Sequence, residues 1–187
     1  MTTATTSTVR DLSGTYTLDG SHSRVGFVAR HAMIAKVRGA FNEVSGTATI
    51  DGANPAASSL EVTIGVASVD TRDANRDGHL QSPDFFDAAT YPTITFKATG
   101  FEIVDDETVN VTGDLTIKDV TKPVTVPFTF GGAATDPFGN SRIGFEGEVT
   151  VNRKDWGLTW NAALETGGVL VSDKVVLELE VSAIKAA

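Results

Sequence analysis

A two-residue hydrophobic period, sustained over most of the chain, limits what it can fold into. Leu60, Val62, Ile64 and Val66 fall on one face, with Glu61, Thr63 and Gly65 on the other. Val109, Val111, Leu115 and Ile117 alternate with Asn110, Thr112, Asp114 and Thr116. Val124, Val126, Phe128 and Phe130 repeat the pattern, as do Ile94 and Phe96, then Ile143, Phe145, Val149 and Val151, then Val175, Leu177, Leu179 and Val181. Successive side chains of a strand point to opposite faces, so each run reads as a strand with one apolar and one polar side. Eight or nine strands result, separated by the turn-forming stretches DGAN at 51–54, DDET at 105–108, DPFGN at 136–140 and TGG at 166–168.

One-sided strands of this kind build antiparallel sheets with one wet face. Closing such a sheet into an up-and-down barrel removes its exposed edges, and a sandwich is the alternative. The segment from Val69 to Pro92 breaks the period. It reads as one long connection with one or two short helices, and Ser82-Pro83-Asp84 is a plausible helix start.

With 187 residues the chain fits a single domain. Residues 1–13 are polar and threonine-rich and are expected to be a disordered lead, with residues 14–187 forming the domain. The formal charge of −9 and a pI near 4.7 argue against a nucleic-acid partner and against more than transient contact with an anionic membrane. There are no cysteines, which excludes disulfides, thiolate catalysis and cysteine-ligated zinc. The N-terminal stretch lacks an apolar run of signal-peptide length, so a cytoplasmic location is the expectation.

Motifs for catalysis are missing: there is no His-Glu-x-x-His, no Gly-x-Ser-x-Gly and no phosphate-binding glycine loop. No catalytic residue, metal ligand or cofactor is assigned. The stretch DANRDGHLQSPD, Asp73 to Asp84, carries Asp73, Asn75 and Asp77 at alternate positions and then Gly78, like the first half of a calcium loop. Such a loop needs a helix on each side and a bidentate acid at its twelfth position. Here strand-like residues precede it, Asp84 stands where Glu is usual, and Pro83 comes just before. Calcium is therefore a minor alternative.

The inward faces supply apolar walls through Phe27, Phe41, Ile64, Val66 and Phe96, then Leu115, Ile117, Phe128, Phe130 and Phe145. His31 and Met33 join that face if the strand of Val25 and Phe27 runs on. His31 then either meets a ligand or is a satisfied core histidine. Gly26, Gly46, Ala48, Ala98, Gly113 and Gly147 belong to the same inward set. They either leave space for a small ligand or mark the bends a barrel needs.

Several ordered motifs together resemble the YceI-like family of lipocalin-like, polyisoprenoid-binding proteins. They are Arg76-Asp77-Gly78-His79-Leu80, Asp84-Phe85-Phe86-Asp87 and Tyr91-Pro92-Thr93-Ile94-Thr95-Phe96. Asp19-Gly20-Ser21-His22-Ser23, Arg38-Gly39-Ala40-Phe41 and Ser68-Val69-Asp70-Thr71 precede them. Gly113-Asp114-Leu115-Thr116-Ile117, Val120-Thr121-Lys122-Pro123-Val124 and Asn152-Arg153-Lys154-Asp155-Trp156-Gly157-Leu158 follow. The likeness runs from Gly14 to Ala183. It implies an extended antiparallel eight-stranded barrel, a long apolar pocket for an isoprenoid or isoprenoid-quinone-like lipid, no catalysis, and often a homodimer. Many similar proteins are exported, which this N-terminus does not suggest. In that frame the 73–84 stretch becomes a loop clamp in which Arg76 pairs with a carboxylate, and Phe85 and Phe86 plug or line the barrel. An enzyme acting on a prenyl or quinone lipid, with His31 or Asp70 as acid–base groups, is the alternative function.

Overall fold

A computed structural model describes residues 7–187; residues 1–6 of the expected lead lie outside the described residues. Eleven strands follow one another: β1 (Gly14–Leu18), β2 (Arg24–His31), β3 (Ala35–Phe41), β4 (Val44–Ile50), β5 (Ser59–Gly65), β6 (Val69–Asp70), β7 (Thr93–Ile103), β8 (Thr108–Ile117), β9 (Val120–Thr135), β10 (Ser141–Asn152) and β11 (Lys174–Lys185). All pairings are antiparallel. The order β1-β4-β5-β7-β8-β9-β10-β11 returns to β1 through Leu18 opposite Ala183 and Tyr16 opposite Lys185. The sheet is therefore a closed barrel, and the sandwich is ruled out.

Eleven segments occupy eight positions because three strands are broken. β2 continues β1 beside β11, β3 runs into β4, and β6 continues β5. The breaks have local causes. Asp19 accepts a hydrogen bond from Ser21 N at 3.0 Å and so turns the chain between β1 and β2. Ser68 donates from Oγ to Gly65 O at 2.6 Å and accepts from Glu43 N at 2.9 Å, which ends β5. Short polar side chains compete here with the sheet ladder for backbone partners.

Connections alternate between the two ends of the barrel. The upper end carries the turn at 32–34, the connection 71–92, the turn at 118–119 and the segment 153–173. The lower end carries the N-terminal lead and the turns at 51–58, 104–107 and 136–140. At the upper end Phe41, Val66, Val69, Ile94 and Trp156 are buried together, with Phe27, Phe86 and Ile117 packed against them. Trp156 donates from its indole nitrogen to Leu115 O at 2.9 Å, so its polar edge is satisfied inside the plug.

The long connection holds one helix, α1 (Ala74–Gln81). Asp73 caps it by accepting from Arg76 N at 2.9 Å. The predicted helix start at Ser82-Pro83-Asp84 is instead the helix end: Ser82 is the C-terminal cap, and Pro83 cannot continue the helix. A second irregular segment, 153–173, follows β10. Its anchor is Arg153, 5% exposed, which donates to the carbonyls of Ser172 at 2.9 Å and Leu158 at 2.5 Å.

Residues 7–13 differ from the disordered lead expected of them. Val9–Asp11 forms one helical turn, with Thr8 N donating to Asp11 Oδ2 at 2.8 Å and Arg10 N to Thr8 Oγ1 at 3.3 Å. Val9 N donates to Asp106 O at 3.0 Å, and Val9 and Leu12 are both buried. Polar composition hid these two apolar side chains, which are enough to seat the turn on the barrel rim.

Candidate functional site

Inside the barrel, below the aromatic plug, lies a cavity of about 230 Å³. Its wall is drawn from β1, β4, β5, β7, β8, β9, β10 and β11, so every position of the barrel contributes. The N-terminal lead adds Val9 and Leu12, and the 51–58 turn adds Asp51, Gly52, Pro55 and Ser58. The cavity thus reaches the lower end and stops at the filled upper end. Asp51 is the one charged residue of the wall among the described residues. Its carboxylate faces the turn, accepting from Ala53 N at 3.1 Å and Asn54 N at 2.9 Å.

Five of the residues expected to line a pocket do so: Ile64, Phe96, Leu115, Phe128 and Phe145. Others point inward but belong to the packed ends. Phe27, Phe41, Val66, Phe86 and Ile117 form part of the upper plug, where the Phe41 ring lies 5.7 Å from Phe27 and 5.6 Å from Phe86. Phe130 packs at the lower end beside Phe145, with ring centres 5.3 Å apart. Phe85 packs away from the cavity, 5.0 Å from the His79 ring and 5.4 Å from Trp160.

His31 and Met33 are not on the inner wall. β2 ends at His31, and Ala32 and Met33 take positive φ values of 51° and 61° in a tight turn, leaving Met33 57% exposed. The continuation of alternation failed because a hairpin reverses the chain there. Asp70 is exposed, accepting from Arg72 N at 2.9 Å and from Asn42 Nδ2 at 3.3 Å. His31 stands opposite Ala35 and Asp70 opposite Ala40, five residues along β3. That is roughly 16 Å of strand, too far for a shared acid–base site.

The 73–84 stretch does not converge on a cation. Asp73 is spent as the helix cap. Asp77 accepts from Thr71 N at 2.8 Å and Thr71 Oγ1 at 2.6 Å. Arg76 also holds Thr71, donating to its hydroxyl and its carbonyl, each at 2.8 Å. The clamp is real, but Arg76 pairs with the buried Thr71 and not with a carboxylate.

The inward glycines have a specific use. Gly147 stands opposite Phe128 in the ladder, and a Cβ there would lie 2.7 Å from Phe128 Cδ1. Gly39 stands opposite Phe27, and Gly113 lies under the Phe96 ring; in both cases a Cβ would run into that ring. Each ring occupies the space that a side chain at the glycine would take. Gly46 and Ala48 line the cavity itself. Gly26 is on the outer face, opposite Glu178 and beneath the Arg24 guanidinium.

Alternation missed several wall residues, including Tyr16, Leu18, Phe101 and Ile103. β1 is only five residues long and too short to show its period, and a bulge between Ala98 and Gly100 shifts the face of β7 partway along. Tyr16 is 3% exposed and its phenol is pushed above its ordinary pKa by burial.

A profile of the YceI-like domain matches residues 16–183. Protein YceI of Escherichia coli O157:H7 is 43% identical over 140 residues, covering 75% of this chain and 73% of that protein. The crystal structure of BcnA from Burkholderia cenocepacia superposes with a TM-score of 0.77 at 30% identity, covering 88% of this chain and 98% of the other. A polyisoprenoid binding domain from Saccharophagus degradans shares the fold alone, with a TM-score of 0.70 at 17% identity, covering 91% and 98% of the two chains. With a family profile spanning nearly the whole barrel, this chain belongs to the YceI-like family.

Proposed function

We propose that this protein is a non-catalytic binder of an isoprenoid or similar long-chain lipid, which it stores or carries in the barrel. The observation that supports this best is the cavity itself: about 230 Å³, walled mainly by aliphatic and phenyl side chains, with no histidine, lysine or arginine among the described residues that line it. An apolar cavity of about 150 Å³ already admits benzene in another protein. An isoprenoid tail has almost no hydrogen-bonding capacity, so its affinity must come from apolar area removed from water, at about 25 cal/mol per Å². Walls that are almost wholly apolar suit that source of affinity. The binding role named for the Saccharophagus degradans domain is consistent with it. A non-catalytic role fits a wall whose polar residues, Ser23, Thr47, Asp51, Ser58 and Tyr16, form no acid–base–nucleophile arrangement.

Mass spectrometry of an organic extract of the purified native protein tests the reading. A stoichiometric prenyl chain or isoprenoid quinone is the expected result. If the extract is empty, and the delipidated protein also takes up no prenyl lipid when it is supplied, the proposal fails.

A further inference from the structure

Tyr16 is the one polar group of the cavity wall that is both deeply buried and uncommitted. Its hydroxyl has no hydrogen-bond partner among the described residues. No fully enclosed side-chain nitrogen or oxygen among them is left unpaired, so this hydroxyl borders accessible space. Ser23 is committed to Ser182, donating to its carbonyl at 3.2 Å and accepting from its amide at 3.0 Å. Ser58 accepts from Asp51 N at 2.9 Å, and Thr47 sits on an exposed position of β4. A polar group that lines an apolar chamber without a protein partner favours any ligand atom that completes its hydrogen bond. Burial raises the phenol's pKa, so the group is a neutral O–H donor at physiological pH.

We propose that Tyr16 is the head-group anchor of the cavity and donates a hydrogen bond to an uncharged oxygen, such as a ketone or other carbonyl, on the bound lipid. This rests on the lipid-binding reading above and makes it more specific. Tyr16 stands on β1 two residues inside Gly14, opposite Ala48 and Lys185, so it marks the lower end of the chamber. The lipid then lies with its head at the lower end beneath Val9 and Leu12 and its chain directed at the Phe41–Trp156 plug. A phosphate or diphosphate head is disfavoured. Among the described residues the wall offers no cation, and Asp51 adds a negative charge near the same end.

The test uses the delipidated full chain and three probes: geranylgeranylacetone, squalene and geranylgeranyl diphosphate. Affinities are read by native mass spectrometry for the wild type and for Tyr16→Phe, which keeps the ring. The expected result is a loss of about tenfold for the ketone in Tyr16→Phe with squalene unchanged. The bound ketone's carbonyl stretch should be lowered in the wild type and return to its unbonded position in the variant. Equal ketone affinities with an unshifted band would overturn the anchor while squalene binding leaves the lipid pocket standing. Diphosphate binding as tight as ketone binding would overturn the neutral-head assignment. Failure of both ketone and squalene to bind the wild type would sink the lipid-binding reading and the anchor with it.

Discussion

Three phenyl rings over three glycines set the interior shape of this barrel. Phe27 covers Gly39, Phe96 covers Gly113 and Phe128 covers Gly147. A larger residue at the glycine would push the ring into the cavity or off its rotamer. Gly147→Ala should therefore destabilise the protein by about 1–3 kcal/mol in urea denaturation, the usual cost of overpacking. A companion Phe128→Leu change should recover part of that loss, because a smaller side chain frees the same space. Charge on the wall acts differently. Phe96→Asp places an unpaired carboxylate in an apolar chamber and should abolish lipid retention. Circular dichroism establishes that the variant is folded, and mass spectrometry of its extract reads retention; a folded variant that keeps its lipid would show that Phe96 is not a binding wall. Periodicity in β5, β8 and β9 revealed the side on which Ile64, Leu115 and Phe128 point. It carried no information on how far along the barrel axis each one sits. Phe130 and Ile117 have the same inward direction as Phe128 and Leu115, yet they fill the ends.

Two elements close the barrel, by different means. The upper end is filled by side chains and tied down by polar contacts: Thr71 by Arg76 and Asp77, the 153–173 segment by Arg153. The lower end is covered by one helical turn of the lead, attached through Val9 N to Asp106 O and by Gly52 N donating to Ser13 Oγ at 3.1 Å. The lead adds no strand to the closed sheet, so it should open at a lower free energy than the barrel. Removing residues 1–12 should leave the β-sheet circular dichroism intact and speed transfer of a fluorescent prenyl lipid to acceptor vesicles several-fold. An unchanged transfer rate would place the exit elsewhere. The motif resemblance located the clamp in the 71–92 connection, but its partners were not readable. An arginine beside aspartates suggests an ion pair, and only the fold brings the Thr71 carbonyl and hydroxyl within reach of the guanidinium.

At the scale of the whole molecule, one ionic network joins distant parts of the chain at the lower end. Arg142 donates to Asp19 and to Asp136, each at 2.7 Å, linking β10 to the β1–β2 break and to the β9–β10 turn. Asp19 also accepts from Ser21, and Asp136 from Asn140. For Asp19 the Ser21 hydroxyl is the largest influence and Arg142 the next; for Asp136 it is Arg142. Both carboxyls are held well below the usual carboxylate range. A depressed folded-state pKa contributes stability that is present above the unfolded value, near 4, and is lost as pH falls below it. Arg142→Gln should lower Tm by a constant amount between about pH 5 and 7. That gap should narrow as the pH falls below about 4, as the wild type loses what the variant never had. A gap independent of pH down to 2 would show that Arg142 stabilises by packing.

What the sequence by itself determined was the class of architecture and its orientation. Period-two patterning is a local property, set by the geometry of a single strand, and so it told inside from outside without reference to any other residue. The ordered motifs carried the family resemblance for the same reason, since each is a contiguous run. Which inward residues line empty space, which ones fill it, and where the chain is sealed were decided only by the tertiary structure. A void is the difference between the volume a barrel encloses and the volume its side chains occupy. That difference depends on the closure of β1 against β11, on rings folded over glycines of neighbouring strands, and on a lead that returns to the rim. None of these pairings is local, and so no stretch of sequence read alone contains them.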